Sequence, residues 1–302
     1  MAKLKELIVI QKIAVLCDRI KIPGFQGVSL FYIAKFLVEG LQKNPVTTRA
    51  SALSFNFFIA LFPTIIFIFT VIPYIPIDNF QEQLLLQLEN LLPQDAYQLT
   101  RTTIEDIISQ PRGGLLSFGF LTALVFATNG VNAIMQAFNE SYFIEKKRNF
   151  LKQRLVALAL TIVLVGVMLM TVSVYILNTF FLDYLISMDT SKSVILFWSN
   201  FSRFIFLPAM FYLSTSFIYF SAPMAQSKWK LFSAGSTLAT IIMLAASFSF
   251  AAYINNFGQY NKLYGSIGTL LVIMLWIYIN SLILLLGFEL NAVINKKSQR
   301  VK

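Results

Sequence analysis

Six long apolar stretches constrain the fold of this chain more than any other feature of its sequence. A helix that crosses the hydrocarbon core of a bilayer needs about 20 predominantly apolar residues, because each residue adds about 1.5 Å of length. The stretches that meet this requirement are residues 52–75, 115–138, 155–180, 204–221, 231–254 and 266–288. The fourth is the shortest and contains Pro208. The pattern predicts an all-α, polytopic membrane protein built on a bundle of six transmembrane helices.

The composition excludes an ordinary soluble domain. Of the 302 residues, 57% are hydrophobic and 13% are charged, whereas soluble domains carry about 25% charged residues. The chain has no His and a single Cys, Cys17, so neither a disulfide framework nor a Cys/His zinc site can form within one chain. No cofactor or metal is expected.

The cations alternate from one side of the predicted bundle to the other. Residues 1–50, the connections after the second and fourth spans, and the C-terminal tail hold most of the 24 Lys and Arg residues. Cytoplasmic loops are the basic ones in membrane proteins, so both termini are expected on the cytoplasmic side. This basic face predicts anionic lipid headgroups as partners, and it explains the net charge of +10 without a nucleic acid partner.

The same pattern divides the chain into three parts. Residues 1–50 form a cytoplasmic or interfacial segment, whose amphipathic stretches are expected to lie on the inner headgroups or to pack as soluble helices under the bundle. Residues 51–294 form the transmembrane domain, and residues 295–302 form a basic tail. Within the transmembrane domain, residues 77–114 are rich in acidic residues and contain helically spaced leucines. They predict a small extracytoplasmic helical cap.

Polar side chains form a stripe on the second span and recur on the sixth. In hydrocarbon such side chains tend to face a bundle interior or a water-filled cavity, although amides also join transmembrane helices by hydrogen bonds. The residues that could line a polar cavity are Thr122, Asn129, Asn132, Gln136 and Asn280. Cavity lining and an interhelical hydrogen-bond seam are both open at this point.

The sixth span also carries small residues and a tryptophan that suit close helix packing. These residues are Gly265, Gly268, Trp276 and Gly287. Small residues let two helix backbones approach closely in a membrane. The pattern favours a packing motif over a ligand site.

Two opposite charges lie at the inner membrane boundary. Arg49 precedes the first span, and Glu289 follows the core of the sixth. Pairing would offset the desolvation penalty of each charge. We therefore predict a structural ion pair that joins the first helix to the last.

The residues do not predict catalysis. Without His, general-base chemistry would fall to carboxylates or Lys, and the only adjacent carboxylates outside the spans, Glu105 and Asp106, point to different helix faces. No glycine-rich phosphate loop of the Walker type occurs.

Several motifs resemble those of the YihY/BrkB family of membrane proteins. They are TRASALSF at 48–55, LFP at 61–63, FATNGVN at 126–132, YGSIGT at 264–269, LWIY at 275–278 and LGFELNA at 286–292. The resemblance covers about residues 45–295. It implies a multi-pass protein of the bacterial inner (plasma) membrane with six helices. The family carries a virulence-factor label and a historical ribonuclease BN label, and it has been linked to envelope integrity and to export of envelope amphiphiles.

These observations lead to three functional hypotheses. The first is translocation or export of an envelope amphiphile or small solute through a cavity lined by Asn129, Asn132 and Asn280. The second is a non-transporting membrane scaffold for envelope partners. A membrane-bound ribonuclease ranks last, because the residues lack a catalytic constellation. A homo-oligomer is compatible with all three.

Overall fold

A computed structural model describes residues 44–74, 85, 101, 105–106, 111–140, 148–188, 190–224, 231–256 and 260–300. The helices are α1 Asn44–Val71, α2 Gly113–Asn139, α3 Phe150–Ser187, α4 Lys192–Phe201, α5 Leu207–Ser221, α6 Ala234–Asn256 and α7 Tyr260–Arg300. A short 3-10 turn, Ile72–Tyr74, extends α1, and a π-helical turn, Ser202–Phe206, joins α4 to α5. No strand occurs among the described residues, which confirms the all-α class.

Six helical stretches in the described part of the chain have the length and apolarity that a membrane crossing requires. They are Val46–Tyr74, Gly113–Asn139, Phe150–Ser187, Lys192–Ser221, Ala234–Tyr253 and Leu270–Ile294. The predicted set of six spans is confirmed. Residues 1–43 and most of the predicted cap at 77–114 lie outside the described residues, and α7 continues past the predicted domain boundary at 294.

The fourth span begins twelve residues earlier than the sequence pattern predicts, at Lys192 instead of 204. Pro208 explains its irregular middle, since proline cannot donate a helical hydrogen bond and its ring collides with the carbonyl four residues before it. The π-helical turn Ser202–Phe206 stands directly before α5, which has this proline in its first turn. A π turn widens the backbone locally, so the helix passes the proline without ending.

The spans form a closed ring. α1 packs against α2 and α7, α2 against α3, α3 against α5, and α5 and α7 both against α6. We call the end of the ring where α1, α3 and α6 begin the basic end, because Arg49, Arg148 and Arg154 lie there.

An aromatic cluster fills the ring near its basic end. Phe138 of α2 and Phe288 of α7 stack in parallel with their ring centroids 3.8 Å apart. Tyr219 of α5 meets both rings edge-on, and its hydroxyl donates a 2.6 Å hydrogen bond to the backbone carbonyl of Leu284. All three rings are fully buried, so the basic end is closed by packed apolar surface.

Replacing Tyr219 with phenylalanine is expected to lower the free energy of unfolding by about 0.5–1.5 kcal/mol, the net value of a neutral hydrogen bond. The ring would remain in the cluster, and the bond from its hydroxyl to the Leu284 carbonyl would be lost. Thermal unfolding in detergent, followed by tryptophan fluorescence, would measure the change. Tyr184→Phe is the control, because Tyr184 is 54% exposed. Equal melting temperatures for the two variants would contradict the prediction.

Helix α3 is exposed over most of its length. Its 38 residues make it about 57 Å long, well beyond a hydrocarbon core of about 30 Å. Beyond Thr161 most of its side chains are exposed, including Met168, Leu169 and Leu177. A narrow half-buried line through Leu164, Val167, Thr171 and Val174 is what remains in contact. The helix is therefore anchored mainly by its first turns.

Candidate functional site: a polar layer at the basic end

Arg49 joins three helices at the basic end. Its Nη1 donates a 2.7 Å hydrogen bond to the carbonyl of Ala137, near the end of α2. Its Nη2 lies 2.5 Å from Glu289 Oε1 on α7. The side chains of Arg49 and Glu289 are 13% and 17% exposed, so the pair is largely removed from solvent. The structure thus brings together the two charges that the sequence paired.

Two side-chain hydrogen bonds connect α2 to the first turns of α3. Arg154 Nη1 donates to Asn129 Oδ1, and Gln153 Nε2 donates to Asn132 Oδ1 over 2.8 Å. Asn129 and Asn132 are three residues apart and share one face of α2. Gln153 and Arg154 are successive residues of α3, and both side chains reach this face. We call these four residues the polar clasp.

The guanidinium of Arg154 has an unusual environment for a cation at a helix interface. It also lies 5.6 Å from the centroid of the Phe150 ring, within the range of a cation–π interaction. Within the part of the chain that the structure describes, it has no carboxylate partner. Its charge is met by an amide dipole and an aromatic face.

Arg148, in the connection before α3, also makes polar contacts at the basic end. Its two Nη atoms donate 3.3 Å hydrogen bonds to the carbonyls of Ala222 and Pro223, directly after α5. A cation at this position complements the negative end of the α5 dipole. Burial lowers the pKa of Arg148 below its ordinary value. The side-chain oxygen of Asn139 meets the same segment by accepting the Met224 N–H.

Helices α6 and α7 touch through glycines at this end. A Cβ atom added to Gly235 would lie 2.0 Å from the carbonyl oxygen of Gly287, so the two backbones are in direct contact. Asn291 secures the contact, because its Oδ1 accepts the Gly235 N–H over 2.7 Å and its Nδ2 donates to Ser233 Oγ over 2.7 Å.

The other predicted cavity residues lie apart from the clasp. Thr122 donates to the Phe118 carbonyl within α2 over 2.7 Å, and Gln136 is exposed. Asn280 donates to the Trp276 carbonyl within α7 over 2.8 Å. Among the hydrogen bonds of the described residues, none joins Asn280 to Asn129 or Asn132. In this structure the α2 amides form an interhelical seam with α3.

The predicted packing residues of α7 have different environments. Gly287 lies in the α6–α7 contact, and Gly268 is buried. Trp276 is 39% exposed and its ring centroid lies 6.4 Å from that of Phe250 on α6. Gly265 belongs to the first turns of α7.

Sequence reasoning missed Arg148, Gln153, Arg154 and Gly235. The three polar residues stood in the sequence only as part of a basic connection, where charge reports orientation and not contacts. A search for polar residues within one turn of a predicted span end would have found Gln153 and Arg154. Gly235 had no such signal, since the partner backbone is distant in sequence.

The described residues do not form a catalytic metal centre. No group of three or more His, Cys, Asp or Glu side chains that could hold a metal occurs among them. Glu105 and Asp106 are each paired with a cation, at 2.6 Å from Arg101 and 2.6 Å from Arg112 respectively. The adjacent carboxylates therefore do not converge on one point.

The sequence matches a known protein family. The family model described as Virulence factor BrkB matches residues 37–302. The chain is 30% identical to the ribonuclease-like protein YfkH of Bacillus subtilis (strain 168), over 83% of this chain and 91% of that protein. It is 24% identical to a UPF0761 membrane protein of Mannheimia succiniciproducens, over 84% and 86%. It is 23% identical to one of Haemophilus influenzae, over 86% and 94%.

No solved structure matches the chain. The family match covers all six spans, the ion pair of Arg49 and Glu289, and the polar clasp. The chain is therefore an integral membrane protein that belongs to the BrkB family.

Proposed function

We propose that this protein moves an anionic amphiphile, such as an envelope lipid, across the bacterial inner membrane, with the basic end on the cytoplasmic side. The observation that carries the proposal is Arg154, a cation at the α2–α3 interface whose hydrogen-bond partner is the neutral amide of Asn129. A half-buried guanidinium is stabilised better by an anion than by a neutral amide, and its planar donors match phosphate and carboxylate groups. Arg154 is thus suited to receive the headgroup of an anionic substrate.

The attachment of α3 supports a route to that cation. The clasp ties α3 to α2 through two hydrogen bonds, each worth about 0.5–3 kcal/mol net, with the charged one at the upper end. Beyond Thr161, α3 contacts its neighbours along a narrow line. Breaking these two hydrogen bonds would free Arg154 to turn towards a headgroup, without opening the aromatic cluster.

Unpaired hydroxyls inside the bundle favour the same proposal. Thr122, Thr161 and Thr171 each donate to a carbonyl of their own helix. In contrast, the buried hydroxyls of Thr128, Ser216 and Thr240 have no hydrogen-bond partner among the protein groups of the described chain. Buried polar groups without partners are costly, and they suit a protein whose interior receives polar groups of a ligand.

A non-transporting scaffold is the second candidate, and the aromatic cluster favours it. Phe138, Tyr219 and Phe288 pack closely at the centre of the ring, with no polar path through them. A ribonuclease ranks below both. The ribonuclease-like name belongs to the Bacillus subtilis relative, and the paired carboxylates Glu105 and Asp106 give that chemistry little support.

Replacing Arg154 with alanine is expected to reduce translocation of headgroup-labelled phosphatidylglycerol in proteoliposomes by about tenfold or more. The expectation follows from losing one charge-assisted interaction worth about 1.5–3 kcal/mol. Lys152→Ala is the matched control, because it removes the same charge from an exposed position two residues away. Arg154→Lys should retain part of the activity, since it keeps the charge but not the planar donors.

Two outcomes would contradict the proposal. If the wild-type protein moves phosphatidylglycerol no faster than protein-free liposomes do, it is not a phosphatidylglycerol translocator, and the scaffold hypothesis is favoured. Equal rates for Arg154→Ala and Lys152→Ala would show that Arg154 has no headgroup role. Circular dichroism and gel filtration of each variant would verify that the helical bundle is intact.

A further inference from the structure

An apolar groove lies between α6 and α7, next to the glycine contact. Its volume is about 260 Å³, and aliphatic side chains line it completely. Ala239, Ile283 and Leu286 are buried and form its floor. Leu238, Ile242, Ile279 and Leu282 are half-buried and form its mouth.

The groove has a structural origin in the α6–α7 contact. Gly235 and Gly287 bring the two backbones together at the basic end. One to two turns further along α6, the same face carries Ala239 and Ile242, which line the groove. The groove therefore lies directly beside the glycine contact.

The groove faces away from the centre of the ring. Phe288 points into the aromatic cluster, and Leu286 is two residues away, which places it about 200° around an α-helix of 3.6 residues per turn. Ile279 lies seven residues before Leu286 and so shares its face. The mouth therefore opens towards the surrounding bilayer.

Hydrocarbon is the ligand class that fits these walls. Cavities lined only by aliphatic side chains stay dry and bind apolar molecules, and one of about 150 Å³ accommodates benzene. Scaled from that example, a groove of 260 Å³ would hold roughly ten carbon atoms, which is a large part of one acyl chain.

The position of the groove indicates the charge of the headgroup. Leu238 lies four residues from Ala234, the first residue of α6, so the groove begins about 6 Å from the positive end of that helix dipole. In the sequence Lys228 and Lys230 precede α6, and Lys296 and Lys297 belong to the last turns of α7. The sequence thus supplies cations beyond this end of both helices, and an anionic headgroup would complement them and the positive end of the α6 dipole.

We infer that the α6–α7 groove binds one acyl chain of an anionic phospholipid, with the phosphate of that lipid at the basic end. This lipid is separate from the substrate proposed above, because the groove and Arg154 lie on different helices. Because the groove opens within the bilayer, membrane lipids are the molecules that can reach it.

Photolabelling of the full-length protein in nanodiscs would test the inference. The probes are phosphatidylglycerol and phosphatidylcholine that carry the same diazirine-modified acyl chain. We expect phosphatidylglycerol to label residues 238–242 and 279–286 about fivefold more than phosphatidylcholine does, which corresponds to about 1 kcal/mol from one lysine near the headgroup. Residues 162–177 of α3 are expected to take up both probes equally.

Ile242→Trp and its neighbour Ile241→Trp form a matched pair. Ile242 lies at the mouth of the groove, whereas Ile241 is 60% exposed and does not line it. Ile242→Trp should reduce labelling of the groove by about fivefold, the equivalent of about 1 kcal/mol, and Ile241→Trp should leave it unchanged. Ile279→Trp replaces Ile242→Trp if the latter does not fold.

Three results would overturn the inference. The first is that the two lipids label the groove equally. The second is that the groove, corrected for its exposed area, is labelled no more strongly than α3. The third is that Ile242→Trp leaves labelling of the groove unchanged. Labelling does not require transport, so none of these results would contradict the proposed translocation. That proposal is tested separately by the translocation assay of Arg154→Ala.

Discussion

Replacing Gly235 with alanine is expected to lower the free energy of unfolding by at least about 3 kcal/mol, the upper part of the range for overpacked sites. The added Cβ would lie 2.0 Å from the Gly287 carbonyl oxygen and 2.7 Å from Asn291 Cγ. One of these obstacles is backbone, so α6 and α7 would have to separate. Their separation would also break the hydrogen bond from the Gly235 N–H to Asn291.

Helix propensity acts in the opposite direction and is too weak to compensate. Alanine is favoured over glycine by about 0.8–1.0 kcal/mol in a helix interior. Gly166→Ala isolates this term, because no atom lies within 4 Å of the added methyl group in α3. We therefore expect Gly166→Ala to be neutral or slightly stabilising.

Thermal unfolding of purified variants in detergent, followed by gel filtration, would compare the two substitutions. A change of 1 kcal/mol shifts the melting temperature by about 2–4 °C for chains of this order of size, so Gly235→Ala should lose at least about 6 °C. Gly287→Ala should also be destabilised, since its Cβ would lie 2.5 Å from the Tyr219 hydroxyl. A melting temperature for Gly235→Ala equal to that of Gly166→Ala would disprove the close-contact account.

The six spans could be predicted from the sequence because lipid imposes a simple requirement on length and apolarity. The start of the fourth span could not. Ser199, Asn200, Ser202 and Arg203 lower the local hydropathy, whereas the helix continues through them from Lys192. Backbone groups in a bilayer must be hydrogen-bonded internally whatever the side chains are, so helices extend beyond their most apolar parts.

The ion pair could be predicted from the sequence, but the partners of the α2 amides could not. Arg49 and Glu289 are brought to one end of the bundle by an even number of crossings, and each requires an opposite charge. Asn129 and Asn132 could have faced any neighbouring helix. Their contact with Gln153 and Arg154 depends on which helices adjoin α2 in the ring, and this order is not encoded in the periodicity of one span.

Replacing Glu289 with leucine, or Arg49 with methionine, is expected to lower the free energy of unfolding by about 3–5 kcal/mol, the cost of leaving a buried charge without its partner. The side chains are 13% and 17% exposed, and Nη2 of Arg49 lies 2.5 Å from Glu289 Oε1. Glu289→Gln should fall towards the lower end of this range, because an amide can still accept a hydrogen bond. Urea or thermal unfolding of each variant in detergent would give the comparison.

The double variant Arg49→Met/Glu289→Leu separates the cost of an unpaired charge from the net value of the pair. Removing both charges leaves no ion without a partner, and apolar replacement of buried pairs is often neutral or stabilising. The Arg49 bond to the Ala137 carbonyl is also lost, so we expect the double variant to be less stable than wild type by about 0.5–3 kcal/mol and more stable than either single variant.

Arg101→Ala provides the exposed counterpart to this cycle. Arg101 and Glu105 are 2.6 Å apart, but their side chains are 57% and 36% exposed, and such pairs contribute about 1 kcal/mol or less. The distances at the two sites are nearly equal, so the difference in stability between the variants would measure the effect of burial. If the double variant loses as much free energy of unfolding as the two single variants together, Arg49 and Glu289 are not energetically coupled. In that case α1 and α7 are held together by apolar packing alone.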